Sequence, residues 1–438
     1  MMEFRGDWVE RGPALSDLIE KETKSDFSKK NEVALLICGM KGRLGILEKQ
    51  LGILEKQTYR AFDIIIASPD DMELPKTSYQ TISLKLKQDY GAAASFYAAE
   101  KYISEKGYKY VIEADDDCHP ADERLVESLV TGAEKSGFAL PHVLFEGFSK
   151  PVKSGIIRYF GCISTGLFRK CGYTYIPFMM FGDDLEITGR LKKIAKPAYV
   201  AETVVHPTPA YLSLPLDRYC YYVRNGIVTE LAREQFFLKK IINLAIRICS
   251  FLCYSLVLKM HGYDAKSSRT TRAIVDALAL RFRSEDGGDK NEFYKNQEKA
   301  DIDCFFAQEE YGTMPGIPNI RIKKQVKMGG QFSLSPSFFA GIVRLGYHLL
   351  GSIGKNTMVV GRISTALGPF LIVLSKKTFI LSKNEAYCFE RKDGNDVARA
   401  LLFLLVLPLL GAASMLLCFL MLLKDGTIKS QTSGYGID

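Results

Sequence analysis

Three adjacent aspartates, Asp115, Asp116 and Asp117, are residues whose type and spacing suit catalysis. Like charges this close repel each other, so their pKa values rise unless a cation neutralises them. Carboxylate oxygens at positions i and i+2 can share one hard divalent cation, and Mg²⁺ or Mn²⁺ suits oxygen ligands. The triplet therefore indicates either a divalent metal site, of the kind that commonly also holds a diphosphate, or a solvated acidic turn.

A second acidic cluster follows an apolar run in the segment FMMFGDDLE, which ends at Glu186. A carboxylate at the mouth of an apolar pocket, here Asp183 or Asp184, is a candidate general base because burial raises its pKa. Arg190 follows Glu186 by one helical turn, so the segment also suits a capped helix with an i, i+4 ion pair. Both interpretations can hold together.

A histidine near the end of the same region can complete a metal site. His206 ends a strand-like run, is followed by Pro207, and comes about twenty residues after the second acidic cluster. Neutral imidazole is a reasonable third ligand beside two carboxylates. His119 adjoins the aspartate triplet and is a candidate for supporting the ligands from behind.

The elements that must position these residues alternate along the first part of the chain. Apolar runs predict strands, separated by helical segments, at residues 33–38, 62–67, 81–86 and 110–114. This alternation predicts an α/β fold with a doubly wound, Rossmann-like sheet. Ligands of such sheets bind outside the carboxyl ends of the strands, and the triplet follows the strand at 110–114. Residues 1–31 are polar and read as a leader, with one helical stretch at 14–24.

The size, net charge and cysteine spacing of the chain limit the classes of protein to which it can belong. The chain has 438 residues, a size that predicts two or three domains. A net charge of +8 over this length does not by itself indicate nucleic-acid binding. Ten cysteines with no C-x-x-C spacing indicate reduced thiols rather than disulfides or zinc ligands.

The mean hydropathy is close to zero, and much of the apolar excess lies near the C-terminus. Residues 400–423 carry no charge and would span about 36 Å as a helix, enough to cross a bilayer. Residues 236–260 are also apolar, but the central Arg247 favours an interfacial or domain-packing helix. The N-terminus has no signal-peptide pattern, so we expect most of the chain to stay in the cytosol.

The order of these motifs resembles family-2 inverting glycosyltransferases of the GT-A fold, and most closely the galactofuranosyl- and rhamnosyltransferases. The similarity covers about residues 33–226. It consists of DDD near residue 115, FGDDLE near 184, a downstream histidine, and RYCYYVRN at 218–225. Two features depart from the family pattern. Cys220 replaces the first tyrosine of the last motif, and the acid expected after the second strand is displaced to Asp70 and Asp71.

The resemblance implies a role for each matching residue. Asp115, Asp117 and His206 would bind Mn²⁺ or Mg²⁺. Asp184 would be the general base, with Asp183 beside it as the second catalytic residue. The donor-binding residues would be Arg43, Gly91, Asp116 and Arg190. The acceptor side of the pocket would consist of Glu186, Phe181, Tyr221, Arg224 and Asn225.

The resemblance also implies an activity and a domain plan. The activity is metal-dependent, inverting transfer from a nucleotide sugar, with a UDP-sugar favoured, to a hydroxyl of a lipid-linked or cell-envelope glycan. The plan is a leader at 1–31, a catalytic domain at 32–232, a mainly helical membrane-associated region at 233–400, a transmembrane helix at 401–423 and a tail at 424–438. The catalytic domain is expected on the cytoplasmic face of the membrane, in a possible homo-oligomer that binds no nucleic acid.

Two other functions remain open from the sequence. The segment CGMKGRL at 38–44 is faintly similar to the glycine-containing loop of a sugar nucleotidyltransferase, although that reading leaves the DDLE motif and His206 unexplained. The chain could also be a catalytically inactive membrane scaffold that carries a transferase-like domain. The complete set of acidic residues argues against the second alternative.

Overall fold

The computed structural model describes two compact units of the chain. The described residues are 12–25, 30–39, 41–72, 76–146, 150–207, 216–232, 237–260, 264–278, 294–295, 300–308, 320–328, 351–352, 355–360, 371, 374–382 and 385–390. The first unit comprises the described residues up to 145 together with 151–206, and the second comprises those from 207 onward. Residues 216–232, which the sequence analysis grouped with the catalytic domain, thus belong to the second unit.

A ten-stranded mixed sheet forms the centre of the first unit. Its strands are β1 (Ile19–Lys24), β2 (Val33–Cys38), β3 (Phe62–Ser68), β4 (Thr81–Leu86), β5 (Tyr110–Asp115), β6 (His119–Pro120), β7 (Phe138–Phe145), β8 (Val152–Lys153), β9 (Tyr159–Ser164) and β10 (Ala198–His206). The order is β1-β4-β3-β2-β5-β9-β7-β10-β6, with β8 paired to β7. The four strands predicted from apolar runs are confirmed.

The sheet is mixed because β9 runs antiparallel to both of its neighbours, β5 and β7. Strands β2, β3, β4 and β5 form a parallel half, and β7 pairs in parallel with β10. The predicted doubly wound sheet is therefore correct for the first half of the unit only. Parallel strands are covered by helices on both faces, which explains the uninterrupted apolar sequence of β2.

Helices cover both faces of this sheet. They are α1 (Leu15–Leu18), α2 (Leu44–Leu54), α3 (Ala92–Glu105), α4 (Leu125–Ser136), α5 (Thr165–Cys171) and α6 (Asp183–Ile194). Alternate residues of β2 enter different cores: Leu36 packs with α3, α5 and α6, whereas Leu35 packs with α2 and α4. The segment LGILEKQ occurs twice in succession, at 44–50 and 51–57, and within α2 its residues Leu47, Leu51 and Leu54 are buried on one face.

The predicted helix at residues 14–24 is largely wrong. Only Leu15–Leu18 is helical, and β1 then pairs antiparallel with β4 at the edge of the sheet. The prediction fails because the charged side chains of β1 form a pattern that is equally typical of a solvated helix. In the structure they suit an exposed edge strand, and Glu20 forms an ion pair with Lys85 at 2.9 Å.

The second unit contains three described helices, α7 (Leu216–Ala232), α8 (Phe237–Met260) and α9 (Asp264–Leu278). After them come short strands: β11 (Tyr294–Lys295), β12 (Ala300–Ile302), β13 (Cys304–Gln308), β14 (Ile320–Ile322), β15 (Gln325–Met328), β16 (Asn356–Val360), β17 (Lys377–Ser382) and β18 (Glu385–Glu390). Six of them form a sheet in the order β11-β18-β17-β16-β13-β15. The prediction of a mainly helical region is therefore wrong for the described residues after 278, because apolar runs this short do not separate strand from helix.

Helix α8 is a packing helix inside the second unit. Leu244, Ile248 and Leu258 are fully buried, and Ser255 is hydrogen-bonded to Ser267 of α9. No helix in the described part of the chain is both long and apolar enough to cross a lipid bilayer. The predicted transmembrane helix at 401–423 lies outside the described residues.

Candidate metal centre and active site

Three ligand-type side chains meet at the carboxyl edge of the first sheet. Asp115 is the last residue of β5, Asp117 follows in the next turn, and His206 ends β10. The Nε2 atom of His206 lies 3.4 Å from Asp117 Oδ1 and 4.0 Å from Asp115 Oδ2. One ligand atom from each residue falls within a 4.8 Å span. The structure therefore brings together the three residues that the sequence analysis assigned to one metal.

The electrostatics of this cluster favour a cation. Burial, and after it the charge of Asp117, raises the pKa of Asp115 well above its usual range, although Arg158 partly opposes the shift. Two carboxylates and one imidazole are a suitable donor set for Mn²⁺ or Mg²⁺. The residues present thus fit the divalent metal that the sequence predicts.

Arg43 neutralises the other side of the triplet. Its two terminal nitrogens bind Asp116 Oδ1 at 2.8 Å and Asp117 Oδ2 at 2.9 Å. Asp117 therefore directs one oxygen to the arginine and the other toward His206. Arg43 and Asp116, both predicted to bind the donor, lie at the site but are bonded to each other.

Sequence reasoning missed the aromatic side chains around His206. The ring of Tyr159 lies 4.5 Å from the imidazole, and the ring of Phe145 lies 5.8 Å from it, edge to face. His119, a predicted supporting residue, pairs in register with Val205 on the neighbouring strand. The order of strands β9, β7, β10 and β6 brings these side chains next to His206. That order is set by long-range pairing and cannot be predicted from any local sequence pattern.

The two aspartates of the DDLE motif have different environments at the start of α6. Asp183 is buried at 3% exposure, and its Oδ2 accepts a hydrogen bond of 2.7 Å from Arg158. Asp184 is partly exposed, and its charge contributes to the raised pKa of Asp115. Asp184 is therefore the partly exposed carboxylate whose charge acts on the metal cluster, whereas Asp183 is bonded to an internal arginine.

Glu186 and Arg190 form the i, i+4 ion pair that the spacing allows. Two nitrogens of Arg190 bind the two oxygens of Glu186, each at 2.8 Å. The remaining N–H groups donate to the carbonyl oxygens of Cys171, Gly172 and Tyr173. These bonds account for all five donors of the guanidinium. The structure thus gives Arg190 a role in joining α6 to the end of α5, and its predicted contact with the donor stays a prediction.

Gly91 packs against the loop that precedes the DDLE motif. Its φ is +85°, and a Cβ atom at this position would lie 2.5 Å from the carbonyl oxygen of Met179. Ala93, at the start of α3, donates its N–H to the same oxygen at 2.9 Å. Met179 and Phe181 themselves have φ values of 62° and 61°, a strained region for residues other than glycine. Gly91 and Phe181 therefore both shape this loop.

The residues of the third motif lie on α7 in the second unit. Tyr221, Arg224 and Asn225 are all buried. Arg224 donates to Asn225 Oδ1 at 2.9 Å, and its guanidinium lies over the ring of Tyr221. Their predicted part in the acceptor pocket stays a prediction.

Comparisons with solved structures find distant similarities. TarS 1–349 from S. aureus is 13% identical with a TM-score of 0.39, over 57% of this chain and 83% of that one. The mannosyltransferase PcManGT from Pyrobaculum calidifontis, solved with GDP-Man and Mn²⁺, is 10% identical with a TM-score of 0.38, over 57% of this chain and 88% of that one. A putative nucleotide-diphospho-sugar transferase from Desulfovibrio desulfuricans G20 is 13% identical with a TM-score of 0.27, and the match covers 40% of this chain and 81% of that one.

No protein-family model and no curated protein matches the sequence. With TM-scores this low, the structural similarities do not assign the chain to a family.

Proposed function

We propose that this protein is a metal-dependent glycosyltransferase that uses a nucleotide-sugar donor. The observation that carries the proposal is the convergence of Asp115, Asp117 and His206 at one sheet edge, beside Asp184. An inactive scaffold has no need of three ligand atoms in one cluster. A nucleotidyltransferase would leave the carboxylate at the start of α6 without a role.

The chemistry proposed for the site divides between two sets of residues. A divalent cation held by the two aspartates and the histidine would neutralise charge on the leaving diphosphate. Arg43 fixes Asp117 and offsets part of the negative charge of the triplet. Asp184 takes the proton from the acceptor hydroxyl, which then attacks the anomeric carbon from the face opposite the leaving group. The sugar is transferred with inversion, and a UDP-sugar is the proposed donor.

The proposed acceptor is a lipid-linked or cell-envelope glycan. Support comes from the sequence alone, since residues 400–423 form an uncharged run between Arg399 and Lys424. A chain of net charge +8 also favours an anionic lipid surface. We propose that the catalytic unit works on the cytoplasmic face of a membrane, as a possible homo-oligomer.

The experiment is a screen of purified full-length protein with Mn²⁺ against a panel of nucleotide sugars, with lipid-phosphate acceptors present. We expect release of a nucleoside diphosphate with at least one donor, and loss of that release when a chelator is added. Asp184→Asn should lower kcat by about 100-fold or more, since it removes the base, while the Kd for Mn²⁺ changes by no more than about threefold. Asp17→Asn changes an exposed aspartate on α1 and serves as the matched control.

Two outcomes contradict the proposal. Release of pyrophosphate from a nucleoside triphosphate and a sugar phosphate identifies a nucleotidyltransferase. Failure to bind Mn²⁺ and every nucleotide tested identifies an inactive scaffold.

A further inference from the structure

Arg158 is a buried arginine that joins three separate elements of the first unit. Its Nε donates to Glu113 of β5 at 3.3 Å, and its Nη1 donates to Asp183 of α6 at 2.7 Å. Its Nη2 donates to Thr174, between α5 and α6, at 2.9 Å. The side chain of Arg158 is 4% exposed, and its guanidinium lies 3.3 Å from the centre of the Phe96 ring.

A β-bulge follows Arg158 directly in the chain. Glu113 of β5 pairs with Gly161 and Ala114 pairs with Tyr159, so Phe160 is the extra residue of β9. Phe160 has a φ of 60°, a strained value for a buried aromatic residue. Bulges next to active sites commonly redirect side chains. Here Arg158 contacts the start of α6, while its neighbour Tyr159 contacts His206.

The backbone at Arg158 connects the metal-binding strand to the same helix. The N–H of Asp115 donates to the carbonyl oxygen of Arg158 at 2.9 Å. The N–H of Ile157 donates to Thr188 Oγ1 at 3.0 Å, and that hydroxyl in turn bonds the carbonyl oxygen of Asp184. Residues 157 and 158 thus contact both the metal ligand Asp115 and the first turn of α6.

We propose that Arg158 is a positioning residue, which holds the first turn of α6 through Asp183 so that Asp184 keeps a fixed place relative to the metal site. The inference rests on the proposed function, because it gives Asp184 the role of base. It also assigns different roles to the two aspartates: Asp183 anchors the helix and only Asp184 touches the acceptor. A planar guanidinium can bind three elements at fixed angles, and a lysine ammonium cannot.

The test compares Arg158→Lys and Arg158→Met with Thr174→Val, which removes another partner of the same guanidinium. We expect Arg158→Lys and Arg158→Met to lower kcat by at least about 30-fold. In Arg158→Lys, which keeps the positive charge that acts on Asp115, the donor KM and the Kd for Mn²⁺ should change by no more than about threefold, because the metal site is bonded to the backbone of Arg158 and not to its side chain. Thr174→Val should lower Tm and leave kcat within about threefold of wild type.

A second measurement does not need turnover. Hydrogen–deuterium exchange in the first turn of α6 should become at least about tenfold faster in both Arg158 variants. Exchange in β3, which β2 separates from β5, should be unchanged. The inference is overturned if the wild-type enzyme is active and the Arg158→Lys variant has the same kcat and the same hydrogen–deuterium exchange in α6. It is also overturned by a fall of kcat in Thr174→Val that matches the fall in Arg158→Lys, which would identify a purely structural effect. If the wild-type protein is inactive, the proposed function is contradicted instead. The exchange result then tests only whether Arg158 holds the first turn of α6.

Discussion

Asp117 shows how one carboxylate can serve two partners at this site. Its Oδ2 is bound by Arg43, and its Oδ1 faces His206. The arginine limits how the carboxylate can turn, so the oxygen that faces the metal position is held in place. Outer partners of this kind orient metal ligands and are often as important as the ligands.

The ring of Tyr159 should have a measurable effect on metal binding through His206. The centres of the Tyr159 and His206 rings are 4.5 Å apart, so Tyr159→Ala removes the ring that packs against the imidazole. We expect the Kd for Mn²⁺, measured by titration calorimetry, to rise about tenfold. Tyr159→Phe keeps the ring and should stay within about twofold of wild type. Tyr199→Ala removes an exposed ring from β10 and is the control; an unchanged Kd in Tyr159→Ala would exclude the positioning role.

At the scale of elements, the LGILEKQ repeat positions the loop that carries the triplet. Gln50 and Gln57 occupy the same place in the two copies. Gln50 donates to the carbonyl oxygens of Asp115 and Cys118 at 2.9 and 2.7 Å. Gln57 donates to the carbonyl oxygen of Asp122 and accepts from the N–H of Val126, at the start of α4. Each copy of the repeat thus fixes one end of the chain between β5 and α4.

The apolar pattern of the repeat predicts the buried leucines but not these glutamines. Periodicity identifies a face by its hydrophobic residues, and a buried amide is stable only when partners from elsewhere in the chain reach it. Those partners are backbone carbonyls some 65 residues away in sequence. The same reason explains why Arg158 escaped notice, since its partners come from β5, α6 and an intervening loop.

Gly91 should not tolerate a side chain, because the atoms nearest to it belong to the backbone of Met179 and cannot move aside as a side chain could. A Cβ atom would meet the Met179 carbonyl oxygen at 2.5 Å, and φ is +85°. We expect Gly91→Ala to lower the free energy of unfolding by about 1–2 kcal/mol and to lower kcat by displacing the loop before Asp183. Gly52→Ala is the matched control, because nothing lies within 4 Å of its added Cβ. Within α2 it should raise stability by about 0.5–1 kcal/mol.

Urea unfolding of both glycine variants, combined with assays of transfer, checks this prediction. If Gly91→Ala retains wild-type stability and kcat, the loop does not depend on the close approach of these two backbones.

At the scale of the whole molecule, the sequence predicts the first unit far better than the second. Long apolar runs such as β2 and β3 fix the parallel half of the sheet, and their carboxyl ends fix the location of the metal cluster. The antiparallel entry of β9 is set by long-range pairing, which no local pattern reports. In the second unit the strands are mostly three to six residues long, too short for a reliable period.

The core of the first unit contains a buried acid pair that should give its stability a characteristic pH dependence. Burial raises the pKa of both Glu100 and Glu113, and the charge of Glu100 raises the pKa of Glu113 further. The pair therefore keeps a proton in the folded chain at pH values where an unfolded glutamate, with a pKa of about 4.3, has lost it. Because the folded state binds more protons, the contribution of this pair to stability is greatest below that value and is lost as the pH rises through the folded pKa.

Glu100→Gln should remove this slope. A glutamine can still accept from the N–H of Thr174 and can donate to Glu113, which then ionises beside Arg158. We expect wild-type stability to fall by up to about 1.4 kcal/mol per pH unit above pH ~4.5, and the variant curve to be flatter over the same window. The measurement is urea unfolding from pH 4.5 to 8 with a chelator present, and the control is Glu48→Gln, an exposed position on α2. Parallel curves for wild type and Glu100→Gln would mean that both glutamates are ionised in the folded protein, and that Arg158 alone balances their charge.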